Sequence, residues 1–306
     1  MNTDDMMCVG AVDKLAATND LNRESYLFDG DALSEVMEGY WDFIELLEQY
    51  GITANMDAGE TADLGDHSKT VVMSSSWNTR MPKDQLITFG KVKPGNVIVG
   101  ISGAGQAVYE TRENSSMRAN GLSSAKRVLL HPDYPKQFPE IISRHAPQPY
   151  IGKFYLHDKL PGSNMNVGEA LTSPTRTHLP IIKYILENMP GAINGMVHNT
   201  GSAFTKSLNF GKQLHYIKND LFEIPPIFKN IYEGAEGKID MEEMFRTFNN
   251  GVALEIYTDP QHADRMIEIA KLYGVDAKVI GEIAKSEDEK NHVTVTHEGN
   301  DYHYSK

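Results

Sequence analysis

The chain has 306 residues, long enough for two domains with a sizeable core. Of these, 40% are hydrophobic and 23% charged, the proportions of a globular protein. A formal net charge of −13 excludes binding to nucleic acid or an anionic membrane by bulk electrostatics, so a phosphorylated ligand must be met by local basic groups, helix N-termini or a divalent cation. The one cysteine, Cys8, lies in an apolar run and can form neither an internal disulfide nor a zinc cluster. With no signal-peptide pattern and no membrane-length apolar stretch, a reducing, cytoplasmic setting is expected.

In chain order, Asp4-Asp5 heads an apolar run from Met6 to Val12 that reads as part of a core element. From Asp31, the spacing of Leu33, Val36, Met37, Tyr40, Phe43, Ile44 and Leu47 predicts an amphipathic helix, N-capped by Asp31 and stopped at Gly51. Asp57 to Asp66 reads as an acidic loop after a short strand, and the stretch around Val71 as a strand. Pro94-Gly95 predicts a turn before an apolar strand, Val97 to Ile101, where a second unit starts. A helix follows over about Leu122 to Leu130, and Ser173 with Pro174 behind it reads as the N-cap and N1 of another. Beyond that the pattern alternates: strand at "INGMVHN", helix at "AFTKSLNF", strand at "LHYIK", helices at "PPIFKNIYEGA" and "DMEEMFRTF", strand at "VALEIYT", helix at "PQHADRMIEIAKLYG" and strand at "DAKVIGEI". A hairpin turning at Glu298-Gly299-Asn300 closes the chain as an edge decoration. Intermixed strands and helices predict an α/β or α+β class with a mixed sheet.

Four stretches carry residues able to do chemistry. Asp4-Asp5 is the first. The second, Asp57 to Asp66, crowds Asp57, Glu60, Asp63 and Asp66 among small residues; it fits a solvated acidic loop or a hard-oxygen Mg²⁺ site that leaves room for phosphate oxygens. The third places Arg176 in the first turn of the helix expected after Ser173, against the macrodipole preference. There it either serves a phosphate or carboxylate or pairs with a neighbouring acid. In the fourth, an apolar strand runs into His198, then the small polar turn Asn199-Thr200-Gly201-Ser202, then a helix. His198 is a general acid or base there, or a satisfied structural histidine. Gly103 and Gly105 lack the partners of a P-loop or dinucleotide motif.

Taken together, the motifs resemble the aminoimidazole ribonucleotide synthetase family, the phosphoribosylformylglycinamidine cyclo-ligases of the PurM-like ATP-dependent superfamily. Asp5-Met6-Met7-Cys8-Val9-Gly10-Ala11 is similar to that family's N-D-L-L-x-x-G-A, and Gly59-Glu60-Thr61-Ala62-Asp63 to its G-E-T-A-E. Lys93 to Gly100 resembles K-P-G-D-x-x-I-G, and Asn120-Gly121-Leu122-Ser123 the end of S-G-x-H-S-N-G-x-S. Ser173 to Thr177 resembles E-P-T-R-I, Gly195 to Gly201 resembles G-x-x-H-I-T-G-G-G, and Glu243 to Gly251 resembles E-M-x-R-T-F-N-M-G. Some positions depart from the pattern. Asp4 stands for Asn, Ala58 for a glycine, Ser202-Ala203 for two glycines, and Met117-Arg118-Ala119-Asn120-Gly121 lacks the histidine of H-S-N-G.

The resemblance implies a PurM-like two-domain fold: residues 1–92 a partial, mixed-sheet N-terminal domain on the ATP and Mg²⁺ side, and 93–306 an α-β layered C-terminal domain. It also implies ATP and substrate in the cleft between them, and a homodimer joined through the N-terminal domain. The family's D-G-x-G-T-K segment, which precedes N-D-L-L, is absent from this sequence, so the chain reads as a member without its first strands. The implied reaction is ATP-dependent closure of formylglycinamidine ribonucleotide to aminoimidazole ribonucleotide, ADP and phosphate. The alternatives are a divergent, non-catalytic nucleotide-binding member, or a superfamily kinase or synthetase acting on another small substrate. Residue by residue, Asp5 and Glu60 are expected at Mg²⁺–ATP with Asp63 as a further carboxylate. Arg118, Asn120, Ser123, Thr200 and Gly201 are expected at the nucleotide or phosphorylated substrate, His198 at proton transfer and Arg176 as a charge stabiliser.

Overall fold

The chain opens with a helix, α1 (Asn2–Met7), which takes in Asp4-Asp5 but only Met6 and Met7 of the apolar run; Met7 is buried and Val9, after the helix, is exposed. The structure, a computed structural model, describes residues 1–143, 145 and 150–306. Strand β1 (Leu15–Arg23), helix α2 (Gly30–Gln49), strand β2 (Ala54–Asp63) and strand β3 (Val71–Asn78) follow. They form a three-stranded sheet in the order β2-β1-β3, with β2 parallel and β3 antiparallel to β1. A parallel neighbour requires a crossover, and α2 supplies it. Its N-cap is Asp29, whose carboxylate accepts from the Ala32 N–H, rather than Asp31, which lies inside the first turn. Gly51, at φ +67°, ends it as expected. Of the predicted face, Ile44 and Leu47 are buried, Phe43 meets Trp77 edge-on, and Tyr40 donates to Asn19. The stretch Asp57 to Asp63, expected as a loop, is strand: Ala58 to Asp63 pair in unbroken parallel register with Thr18 to Arg23.

The remaining elements are strands β4 (Val97–Ser102), β5 (Ala104–Gly105) and β6 (Asn114–Ser115), then helices α3 (Leu122–Leu129), α4 (Asp133–Gln137), α5 (Val167–Leu171) and α6 (Leu179–Asn188). Strand β7 (Ile193–His198), a 3₁₀ segment Ala203–Asn209, strand β8 (Leu214–Lys218), helices α7 (Pro226–Gly234) and α8 (Met241–Thr247), strand β9 (Val252–Thr258), helix α9 (Pro260–Leu272) and strands β10 (Ala277–Lys285), β11 (His292–His297) and β12 (Asn300–Ser305) complete the chain. Seven strands form one sheet, β12-β11-β8-β10-β4-β9-β7, antiparallel throughout except for the parallel β11–β8 pair. Strands β4, β7 and β9 read as continuous apolar runs because they are buried on both faces. Two sequence expectations change here. The helix expected at Ser173 begins at Leu179, because the Ser173 hydroxyl is engaged elsewhere, donating to the Glu169 carbonyl and accepting from the Ser115 N–H. The helix expected after the His198 turn is a 3₁₀ segment.

By compactness the chain falls into two units. One is Met1–Leu86 with short stretches starting at Asp133 and Thr177; the other holds the seven-stranded sheet. The division lies at Leu86/Ile87, ahead of the expected 92/93, because Phe89 stacks on Phe210 and Val92 belongs to the core with Val197, Phe204, Tyr216, Phe245 and Tyr257. Among the described residues no helix is long and apolar enough to cross a membrane.

The terminal hairpin turns at Glu298 and Gly299, both at positive φ, as a tight two-residue hairpin requires. On it, Thr294 contacts both His215 Nε2, at 2.7 Å, and His303 Nδ1, at 3.0 Å. Burial, with His292 and His303 nearby, holds the His215 imidazole below its ordinary 6.5. The unfolded chain therefore accepts a proton that the folded chain resists. Stability is unaffected above about pH 6.5 and falls as the pH drops from there toward the depressed folded value. Urea denaturation in pH steps should show this loss, and His215→Gln should flatten it.

Candidate active site

Strand β7 delivers His198 at its end, opposite Leu254 of β9, and the chain then turns sharply. The Asn199 N–H donates to the Ala253 carbonyl, and the Thr200 N–H donates to the His198 carbonyl at 2.9 Å. Ser202 and Ala203 sit at φ +68° and +35°, in the region where the resembled motif has glycines. Lys206, on the 3₁₀ segment, reaches back to donate to the His198 carbonyl at 3.0 Å and to Thr200 Oγ1 at 2.8 Å. A cation, a hydroxyl and exposed turn backbone at Gly201 thus share one place. That is the chemistry of a phosphoryl-binding turn.

A second loop, between β6 and α3, brings Arg118 to the same place. Its shape is set by side chains bonding to backbone: Asn114 Oδ1 accepts from the Ser116 N–H and Ser115 Oγ from the Met117 N–H. The Ser116 hydroxyl donates to Asn249 Oδ1, and Asn249 Nδ2 donates back to the Ser116 carbonyl. Ser116 and Arg118 are thereby held at φ +69° and +59°. The buried Arg118 guanidinium places Nη1 2.7 Å from His198 Nε2, with a further bond to the Ala253 carbonyl at 3.3 Å. Gly121 follows at φ +83°, and a Cβ there would meet the Phe248 ring at 2.4 Å, so only glycine fits. The neighbouring Asn120 is close to Gly201, with 3.4 Å between its amide nitrogen and where a Gly201 Cβ would lie. The structure therefore brings together Arg118, Asn120, His198, Thr200 and Gly201. Ser123 is exposed on the first turn of α3 and is not held to them by a side-chain hydrogen bond among the described residues.

Beneath the turn lies an ion pair with no exposure at either end. Lys218 of β8 and Glu255 of β9 meet at 2.8 Å across β10 and β4, whose Gly281 and Gly100 are their register partners and add no side chain. Lys218 also donates to the Phe204 carbonyl and Ser207 Oγ. Glu255 accepts from Asn199 Nδ2 at 3.0 Å and from the Tyr257 hydroxyl at 2.6 Å. Burial pushes the Lys218 ammonium down, opposed by Glu255, and burial with the Glu255 charge pushes the Tyr257 phenol up.

Of the two alternatives open for Arg176, the structure shows the pairing with a neighbouring acid. It lies before α6, outside any helix or strand, and its five N–H donors are taken up by both Glu110 oxygens and the carbonyls of Ser102, Ala104 and Gly105. It pairs with an acid and straps the Gly103–Gly105 loop, leaving no donor for a reacting group.

In the first unit, Asp4 is buried, accepting from Thr177 Oγ1 and the His178 N–H, while Asp5 is exposed on α1. That helix packs on β3, whereas Glu60 lies on β2 with β1 between, so Asp5 and Glu60 belong to different edges of the sheet. Glu60 is exposed, and its register partner is Asp20, another exposed carboxylate. Like charges side by side on a sheet repel unless a cation sits between them. Asp63, three residues on, points to the opposite face and accepts from Ser25 Oγ at 2.5 Å. Among the described residues no group of three His, Cys, Asp or Glu side chains could hold a metal ion. The two hard oxygens at Asp20 and Glu60 suit a Mg²⁺ ion that takes its other ligands from phosphate and water.

The sequence reading assigned no role to Lys206, Asn249, Lys218, Glu255 or Asp20. For Lys218 and Glu255 a signal existed: each is a lone charge inside an apolar strand.

Residues 93–294 match the family described as AIR synthase related protein, C-terminal domain. The chain belongs to this family. Its relatives include a "Phosphoribosylformylglycinamidine cyclo-ligase" of Methanocaldococcus jannaschii, 30% identical over 288 residues that make up 94% of this chain and 70% of the relative. One of the same name from Methanobrevibacter smithii is 28% identical over 306 residues, 99% of this chain and 76% of that protein. Both of these relatives are named as ligases. Its fold is that of the hydrogenase maturation protein HypE of E. coli, at a TM-score of 0.59 and 13% identity over 99% of this chain and 77% of that one. T. maritima PurL complexed with FGAR gives 0.53 at 15% identity; the match takes in 98% of this chain but spans 39% of PurL. These likenesses establish the PurM-like fold.

Removing one partner of the Lys218–Glu255 pair leaves a buried charge without its counter-ion. Lys218→Met should lower stability by about 3–5 kcal/mol in chemical denaturation. The same substitution at Lys229, paired with Glu223 at the surface, should have little effect.

Proposed function

We propose that this chain is an ATP-dependent cyclo-ligase that closes the imidazole ring of formylglycinamidine ribonucleotide, releasing ADP and phosphate. What carries the reading is the span of the match to named cyclo-ligases. It takes in 94% of the chain, so both the acidic strand β2 and the Arg118–His198 site fall within aligned family sequence. The amide oxygen of the substrate is a poor leaving group. Transfer of the γ-phosphoryl of ATP to that oxygen makes phosphate the leaving group, and the neighbouring nitrogen then attacks the activated carbon to close the ring. Such chemistry rests on positioning and on neutralising charge.

In this reading the Thr200-Gly201 turn, Lys206 and Asn120 hold phosphate oxygens of the phosphorylated substrate, and Arg118 places a permanent cation beside them. Glu60, with Asp20 beside it, holds Mg²⁺–ATP; Asp5, on α1 against the opposite edge strand, is not proposed to share that ion within one chain. Mg²⁺, when bound, supplies neutralisation of the triphosphate charge. A cytoplasmic homodimer is the assembly proposed with it. A second reading, a member acting on a different small phosphorylated substrate, is favoured by Arg118 and Ser202-Ala203, which change the loops on the substrate side.

The test is ADP release with formylglycinamidine ribonucleotide and Mg²⁺. Substrate-dependent release is expected, and Glu60→Ala should weaken Mg²⁺–ATP binding at least tenfold by calorimetric titration, since losing a charge-assisted ligand costs about 1.5–3 kcal/mol. ATP binding without release on this substrate would favour the second reading, and no nucleotide binding would refute both.

A further inference from the structure

We propose that Arg118 is a positioning residue that locks His198 as the neutral imidazole with its proton on Nδ1, so that His198 serves the site as a fixed polar group and not as a proton carrier through Nε2. This deepens the cyclo-ligase reading and rests on it only for the catalytic consequence. A guanidinium has five N–H donors, no acceptor and no accessible deprotonation. The 2.7 Å contact between Arg118 Nη1 and His198 Nε2 can therefore be made in one sense only, with Nη1 donating and Nε2 offering its lone pair. A neutral imidazole with an acceptor at Nε2 carries its hydrogen on Nδ1.

An imidazolium at this position would set two cations in contact where both residues are withdrawn from water, Arg118 at 3% exposure and His198 at 1%. A third cation, Lys206, is bonded to the His198 carbonyl. The nearby acid Glu255 is already engaged by Lys218, Asn199 and Tyr257. The Arg118 and Lys206 cations thus oppose protonation.

The contact is also built to stay in place. Nη1 is anchored a second time at the Ala253 carbonyl. The loop that carries Arg118 is held in left-handed backbone at Ser116 and Arg118 by the reciprocal Ser116–Asn249 bonds. Such strain persists only where the surroundings fix it, and it recurs at functional sites. The resembled motif has a histidine in this loop, and two imidazoles can share a proton; an arginine cannot. This departure from the resembled motif changes what the neighbouring histidine can do.

The test is nitrogen NMR of the histidine-labelled chain without substrate, with the His198 signals assigned by their loss in His198→Gln. The wild-type protein should show a protonated Nδ1 and an unprotonated Nε2 that do not titrate between about pH 5.5 and 8. Arg118→Met should let His198 titrate and populate the other tautomer, lower kcat about 10²-fold, and add a limb to the kcat–pH profile. Arg118→Lys, which keeps a cationic donor, should restore the tautomer. A wild-type Nε2 that carries a proton or titrates in that range would overturn the proposal, even if Arg118→Met fails to fold. So would an Arg118→Met protein with unchanged tautomer and pH profile. Because the spectrum needs no substrate, the expected tautomer in a protein that fails to release ADP would refute the cyclo-ligase reading and leave this inference standing.

Discussion

The Lys218–Glu255 ion pair is the constraint on which the site depends. Two opposite charges taken out of water are tolerated only when every remaining lone pair and proton finds a partner. Here one partner, the Tyr257 hydroxyl, comes from β9 itself and the others from the segment after β7. Glu255 holds the Asn199 amide, and Lys218 holds the Phe204 carbonyl and the Ser207 hydroxyl. The desolvation of one pair thus dictates where the chain must run between His198 and Ser207. The turn that carries Thr200 and Gly201 and the 3₁₀ segment that carries Lys206 follow from that path.

A second set of bonds fixes the opposing loop. Asn249, just before β9, exchanges hydrogen bonds with Ser116, so the strand that holds Glu255 also fixes the loop that presents Arg118. Both halves of the site are referenced to β9, a fully buried strand paired on both sides, between β4 and the edge strand β7, in the seven-stranded sheet. Placing functional side chains on loops that a rigid sheet positions gives the precision that phosphoryl transfer needs.

Most of the architecture was legible in the sequence because it rests on local periodicity. The apolar runs of β4, β7 and β9, the helices α7, α8 and α9, and the Glu298-Gly299 turn all follow from spacing and turn chemistry. The helix expected at Ser173 failed because a serine hydroxyl that looks like an N-cap was claimed by a residue 58 positions away, Ser115. Asp29 and Asp31 are equally good caps by composition, and only the backbone geometry separates them. The Asp57–Asp63 stretch looked like a loop because it is small and acidic, yet parallel pairing with β1 makes it a strand. The motifs located His198, Thr200, Asn120 and Arg118, but the Arg118–His198 contact joins residues 80 apart and no local pattern announces it. Arg176 shows the converse: a motif residue whose donors are all consumed by its own fold.

The central claim is that the buried pair acts on the site through the turn and is not merely part of the core. The direct measurement is the steady-state kinetics of the double variant Lys218→Met with Glu255→Leu, in which apolar groups of similar volume replace the whole pair and leave no lone charge buried. The account predicts a folded, stable protein whose kcat falls about 10²-fold while KM for ATP changes little, because the turn loses its reference. A double variant that folds and turns over at the wild-type rate would contradict it.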